Sequence, residues 1–313
     1  MTLLKKSIFL ASVILVTQLA QSQEAIASSG GEFNGTGGSV VHTIGQVFYA
    51  NLTNAASTVD EGILQPYEKR TFTFNTTWAP IDPSGLSFPE DAIAVTTGDV
   101  TFSNSNTYFD TLSIDPGASV TVAAGASINA NSATILNSTS STFSSLIVKG
   151  SINGTVNYNR YTALIGSEAG GTNDLISAPV VGQVFGAFAT ENPNLAASNT
   201  LRAFAPYNTS AGAYQNYDTN INAATELDSG IGYRAATVDG STLKFTGTAS
   251  TADVAVSISD DNAGNAWNLI GNPYPSYIDF NSFFTDNKDQ FNTDAEYQAV
   301  YGYNGATSNG WTV

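Results

Sequence analysis

Apolar residues in this chain alternate with polar ones far more often than they recur at helical spacing. Val, Ile, Thr, Phe and Tyr dominate the apolar runs, and Gly, Asn, Asp and Ser interrupt them about every 6–12 residues. Period-two runs bounded by turn formers predict strands, so the chain reads as all-β, with helical periodicity nearly absent.

Along the chain the pattern changes character. Residues 23–70 form a first β module, with a strand over 40–49, a loop NLTNAA and a partner strand over 58–65. Gly45 sits where a bulge would fall. Residues 71–95 read as a connector, because Pro80, Pro83 and Pro89 rule out a continuous central strand. From 96 to 160 short β runs follow one another, with apolar pairs such as Leu112/Ile114, Val120/Val122 and Leu146/Val148 separated by turns such as Asp115-Pro116-Gly117. Such runs suit a β-solenoid, whose rungs stack their inward residues, and they equally suit a meandering sandwich. Their spacing is too irregular to fix a repeat length.

The remainder, 161–313, carries an internal repeat. NDLISAPVVGQVFGAF aligns with NLIGNPYPSYIDFNSFF, placing Leu175-Ile176 on Leu269-Ile270 and Pro179 on Pro273, an offset of 94 (269 − 175). Further on, Tyr207-Asn208 aligns with Tyr303-Asn304, an offset of 96 (303 − 207). We expect a duplicated β-sandwich region whose second copy is incomplete at residue 313. Within it, WNLIGNPYPS (267–276) reads first as a corner. Leu269 and Ile270 are core, Gly271 permits the turn, and Pro273 and Pro275 lock the exit, with Trp267 and Tyr274 packed over it. A ligand site is the other reading, since loop aromatics also bind.

The first residues set the compartment. Lys5 and Lys6, an apolar run over 8–16 and Ala20-Gln21-Ser22 form the three parts of a secretory signal peptide, residues 1–22, too short for a membrane span. Its removal takes two lysines and no acid, moving the net charge from −16 to about −18 (−16 − 2). A chain so acidic repels phosphate backbones and anionic lipid, which excludes nucleic acid as a partner. No later segment is long and apolar enough to be a transmembrane helix. The chain has no cysteine, which fits a bacterial exterior better than a eukaryotic one. The expected location is secreted or on the outer cell surface.

Two stretches carry a resemblance. Gly38-Ser39-Val40, Thr43-Ile44-Gly45-Gln46-Val47, Gly62 and Gln65-Pro66-Tyr67-Glu68 resemble a module of secreted proteins of Bacteroidetes bacteria. WNLIGNPYPS, with Leu175-Ile176-Ser177, Pro179 and the G-x-G-Y residues Gly230, Gly232 and Tyr233, is similar to the C-terminal half of large surface proteins of that group. The resemblance implies export, often by type IX secretion, a non-catalytic module, and a C-terminal sorting domain that lies outside these 313 residues.

Catalytic chemistry has little support. There is no G-x-S-x-G, no phosphate-binding glycine loop and no cysteine, and the single histidine, His42, lies in an alternating strand. Zinc therefore lacks ligands. Glu168, Glu191 and Glu226 are the candidates for a glycosidase pair, without a motif to join them. Calcium is the ion that SDDNAGN would take, through Asp260, Asp261, Asn262 and Asn265; Asp286, Asp289 and Asp294 form a second acidic group, and a plain Asx turn explains either. No other cofactor is expected. Tyr207, Tyr214, Tyr217, Trp267 and Tyr274 could stack on sugar rings, or serve only as core. The reading that results is a non-catalytic structural or adhesive protein of the cell surface, with polysaccharide or other surface components as partners. The alternative is a carbohydrate-binding accessory region of a larger polysaccharide-degrading protein, and an enzyme in its own right comes third.

Overall fold

The computed structural model describes residues 67–166, 172–260, 266–291 and 298–303 in full, together with the backbone of four strands before residue 67 and of Trp311–Thr312. Residues 1–22, expected to be a signal peptide, and Asp261, Asn262, Asn265, Asp294 and Glu168 lie outside the described residues. The chain divides into two units, Met1–Glu68 and Lys69–Val313.

In the first unit, β1 (Ser29–Gly35) pairs antiparallel with β2 (Gly38–Ile44), and β3 (Ala50–Thr53) with β4 (Thr58–Glu61). The expected pairing of the 40–49 run with the 58–65 run is replaced by two local hairpins, which close shorter loops at lower entropic cost. His42 lies in β2 opposite Gly31.

The second unit begins as a three-sided parallel β-solenoid. Its strands are β5 (Thr71–Asn75), β6 (Thr77–Ala79), β7 (Ala92–Thr97), β8 (Asp99–Phe102), β9 (Thr107–Ile114) and β10 (Ser119–Val122). They continue with β11 (Ser127–Leu136), β12 (Ser145–Val148), β13 (Ser151–Asn153) and β14 (Val156–Tyr161). On one face β5, β7, the second halves of β9 and β11, and β14 stack in parallel. On the second face β8, β10 and β12 stack. On the third, the first half of β9, that of β11, and β13 stack. The solenoid thus starts at residue 71, inside the expected connector. Its prolines are accommodated because Pro80, Pro83 and Pro89 fall between β6 and β7, not within a strand.

The periodicity that the sequence hides is visible in the register. Asp99 lies opposite Ser119 and Ser119 opposite Ser145, steps of 20 (119 − 99) and 26 (145 − 119) residues. Inward residues form columns. Ile93, Leu112, Thr134 and Val156 make one, Val95, Ile114 and Leu136 another, and Val100, Val120 and Leu146 a third, all buried. Outward positions carry a polar ladder: Asn153 donates to Asn129 at 2.8 Å, Asn159 to Asn137 at 3.0 Å, and Asn137 to Ser113 at 3.2 Å. At the first corner Asp91 is fully buried and takes the Arg70 backbone N–H at 2.9 Å and the guanidinium at 2.7 Å. Above it Lys69 meets Asp110 at 2.6 Å, and with the Ser132 hydroxyl holds that carboxyl below its usual range.

Antiparallel strands close both ends of the first face. β6 pairs with β5 at one end. At the other, β14 pairs with β23 (Thr242–Ala249), which comes from the region that follows the solenoid. That region contains β15 (Asp174–Ser177), β16 (Val180–Val181), β17 (Ala197–Ser198), β18 (Leu201–Arg202), β19 (Phe204–Ala205), β20 (Tyr207–Asn208), β21 (Ala213–Tyr214) and β22 (Gly232–Ala235). β24 (Gly302–Tyr303) and β25 (Trp311–Thr312) follow, and two helices interrupt the strands, α1 (Phe185–Glu191) and α2 (Phe280–Phe291). Among its described residues the unit is all-β with two short helices. Neither helix is predicted by the sequence pattern, because α1 is held by burial of Phe185 and Phe188 and not by a sustained apolar stripe. Phe188 stacks on Phe245 of β23 with ring centroids 4.7 Å apart, and Phe204 stacks on Tyr233 at 4.4 Å. These rings join the solenoid columns in one hydrophobic core.

The two stretches aligned in the sequence share an order of elements here. Each copy runs Leu-Ile, proline corner, helix and two-residue hairpin, with β20–β21 in the first and β24–β25 in the second. The copies do not stand apart: Ile176 of β15 pairs with Tyr233 of β22, and Ile270 bridges Ile231 just before β22.

Two outcomes test this account. Asp91→Ala leaves Arg70 without its buried counter-charge and should cost about 3 kcal/mol in urea unfolding; a loss below about 1 kcal/mol would show that the corner does not depend on the pair. Thr134→Val should raise stability by about 1 kcal/mol, because the buried Thr134 hydroxyl has no hydrogen-bond partner among the described residues. Unchanged or lower stability would mean that this hydroxyl is satisfied.

Candidate functional site

A cleft of about 280 Å³ opens where the last rung of the solenoid meets the region that caps it. One wall comes from an irregularity in the rungs. Between β9 and β10 the chain turns in four residues, 115–118, whereas between β11 and β12 it takes eight, 137–144. The longer loop folds back along β14. The Ser138 hydroxyl donates to the Asn159 carbonyl at 2.8 Å and accepts from the Tyr161 N–H at 2.6 Å. This brings Phe143 beneath Arg160, whose guanidinium carbon lies 3.9 Å from the ring centroid.

The opposite wall is the WNLIGNPYPS corner. Its Leu269 and Ile270 join β22, since the Gly232 N–H donates to the Leu269 carbonyl at 3.2 Å and the Gly271 N–H to the Gly230 carbonyl at 2.8 Å. Asn272 shapes the proline turn, accepting from the Tyr274 N–H at 3.0 Å. The turn then reaches the solenoid: the Leu146 N–H donates to the Pro275 carbonyl at 2.8 Å, and the Tyr277 hydroxyl to the Phe143 carbonyl at 3.4 Å. The Ser177 hydroxyl donates to the Asn272 carbonyl at 2.7 Å and ties the two Leu-Ile copies together. The stretch is therefore a corner that also clamps the cap to the rungs and lines a cleft.

Tyr158, Tyr274, Tyr277 and Arg160 supply the aromatic and cationic groups of this lining; Ser144, Ser177, Asn272 and Ser276 supply hydroxyls and an amide. No carboxylate, imidazole or thiol lies among the lining residues. Burial pushes the Tyr158 hydroxyl above its usual pKa, with the adjacent Arg160 charge opposing the shift. The Ser144 hydroxyl is buried without a hydrogen-bond partner among the described residues.

The five aromatics singled out in the sequence fall in separate places. Tyr274 lines the cleft, its hydroxyl donating to the Ala252 carbonyl at 3.2 Å. Trp267 stands outside it, exposed, edge-on to Tyr301 at 5.1 Å. Tyr207 and Tyr214 face each other across the β20–β21 hairpin at 5.2 Å, with Arg234 over Tyr214. Tyr217 packs into the core edge-on to Phe185 at 4.9 Å. Arg160, Tyr158 and Ser144 escaped the sequence reading because their juxtaposition spans two rungs; Tyr277, one residue past the quoted stretch, was within reach of it.

The described residues hold no group of three or more His, Asp or Glu placed to bind a metal. Of the residues expected to take calcium in SDDNAGN only Asp260 is described, while Asp286 and Asp289 lie on α2. Glu191 pairs with Lys244 at 3.6 Å, Glu226 is exposed, and neither lines the cleft. No helix among the described residues is long and apolar enough to cross a membrane.

Residues 74–307 match a protein family described as a domain of unknown function (DUF8693). No curated protein and no solved structure matches the chain.

Gly271 shows how tight the seam is. A Cβ there would lie 2.3 Å from the Ser177 Cβ and 3.0 Å from the Ile231 carbonyl oxygen. Gly271→Ala should cost about 2 kcal/mol in thermal or urea unfolding, and Ser177→Gly in the same chain should recover part of that loss. A neutral Gly271→Ala would show that the corner does not press on β15.

Proposed function

The chain belongs to the DUF8693 family, and we propose that it is a non-catalytic binding protein of the cell exterior that holds a saccharide in the cleft between its solenoid and its cap. The observation that carries this reading is the composition of the cleft. Tyrosine rings offer flat faces to a sugar, while serine hydroxyls and the Asn272 amide offer both donors and acceptors to its hydroxyls. The same lining lacks the paired carboxylates that glycoside hydrolysis requires and the base that activates a nucleophile. Binding without turnover is the chemistry left.

Export supports the reading from the sequence side, through the signal-peptide pattern of residues 1–22 and the absence of cysteine. A rigid solenoid that carries a cleft at one end suits an adhesive role at a surface, in which a spacer presents a recognition site. The acidic balance of the chain favours soluble, hydrated partners over nucleic acid.

The purified chain should be retarded in native gels cast with a panel of neutral and acidic polysaccharides. Retardation by at least one of them should fall several-fold in Tyr277→Ala, whose native ring is exposed at the mouth of the cleft, and no reducing ends should be released. Retardation by none of the panel would remove saccharide binding as the function, and release of reducing ends would make the protein an enzyme.

A further inference from the structure

Basic residues are scarce in this chain, 10 Lys and Arg against 26 Asp and Glu. Four of the eight described are held by acids. Lys69 is paired with Asp110, Arg70 with Asp91, Lys244 with Glu191 and Lys288 with Asp289. Arg160 differs. No carboxylate among the described residues lies within ion-pair distance of it, although acids outnumber bases more than twofold. Its guanidinium lies over the Phe143 ring, 3.9 Å from the centroid, and lines the cleft together with Tyr158, Asn272 and Tyr277.

The contact with Phe143 holds the guanidinium in place, and beyond the hydrogen bond it shares with the Tyr158 hydroxyl it has further N–H groups to donate. A planar fork held in that way matches a carboxylate, which accepts two parallel N–H bonds. The cleft also contains the Ser144 hydroxyl, 3 % exposed and without a partner among the described residues. A buried unpaired hydroxyl carries a desolvation cost that a bound polar group can offset. Both features sit on the inserted loop 137–144 and the strand it covers, so the longer rung builds one end of the cleft around an unpaired cation.

Taking the cleft as a saccharide site, we infer that its ligand is an acidic sugar, a uronate whose carboxylate is bound by Arg160 while its ring rests against the tyrosines. This rests on the reading under Proposed function and adds the substrate class to it. An acidic protein repels acidic polysaccharides over most of its surface. A single cationic cleft therefore restricts such a partner to one place and one orientation.

The test is calorimetric titration of the full chain with uronate oligosaccharides (galacturonate, glucuronate, mannuronate and guluronate), with their neutral methyl esters and with inorganic phosphate. At least one uronate should bind ten-fold or more tightly than its own methyl ester, a comparison that needs no variant. Arg160→Gln should abolish that preference, lowering the affinity for the acid far more than that for the ester; Arg160→Lys, which keeps the charge without the planar fork, should retain part of it. Esters that bind as tightly as the acids would overturn the inference while the saccharide reading stands. Binding of neither would overturn both. Phosphate binding as tight as the best uronate would show a bare anion site and overturn the assignment to a sugar.

Discussion

The backbone N–H and C=O groups at the two ends of a parallel stack have no partners within the stack, and an unpaired row of this kind invites other chains to add to it. In this protein both ends of the longest face are closed by strands running the opposite way. Thr77–Ala79 covers the first rung as a hairpin partner of β5, and Thr242–Ala249 covers the last. The second closure shapes most of the molecule. To reach β14, β23 is carried by a region with its own aromatic centre. Asn192 then anchors the strand from outside, its side chain accepting from the Lys244 N–H at 2.7 Å and donating to the Lys244 carbonyl at 2.9 Å. The short face is closed by less: a single carbonyl, that of Pro275, meets the outward N–H of Leu146. The cleft is the space left beside that lighter closure.

How far the sequence reveals this depends on the distance over which each feature is encoded. Strand character is local, and the period-two runs from 96 to 160 coincide with real strands because β-branched and aromatic residues fit a pleated wall. The rung length is not local. It changes whenever a corner gains residues, as at 137–144, so no constant spacing survives to be read. The connector expected over 71–95 shows a related limit. Its prolines correctly exclude a strand where they stand, but they cluster in one turn, and the strands on either side remain free to stack. The helix α1 escapes for a further reason. Phe185 and Phe188 are buried by tertiary packing on Phe204 and Phe245, and seven residues are too few for periodicity to register.

The cleft was half legible. WNLIGNPYPS announces a corner through its glycine and prolines, and the structure adds what no residue type announces, namely that the corner's exit lies on another element 130 positions earlier. The separation between Tyr277 and Phe143 is 134 residues. Arg160 has an unremarkable neighbourhood in the sequence, and its significance comes from what does not surround it in space. Tyr217 illustrates the reverse: an aromatic in a polar loop of the sequence, next to Asn216 and Asp218, proves to be an edge of the core.

The pairing of β14 with β23 joins points far apart along the chain; Thr246 donates to the side chain of Asn157, 89 positions before it, at 3.1 Å. Solenoid rungs form between near neighbours and can assemble one after another as a chain emerges from its N-terminal end. The last rung is the exception. Its outer edge stays bare until Thr242–Ala249 has been delivered, and throughout that interval the growing chain carries an open template for a second copy of itself. Closure of that edge therefore waits on a contact of long sequence separation, which forms more slowly than the local rungs.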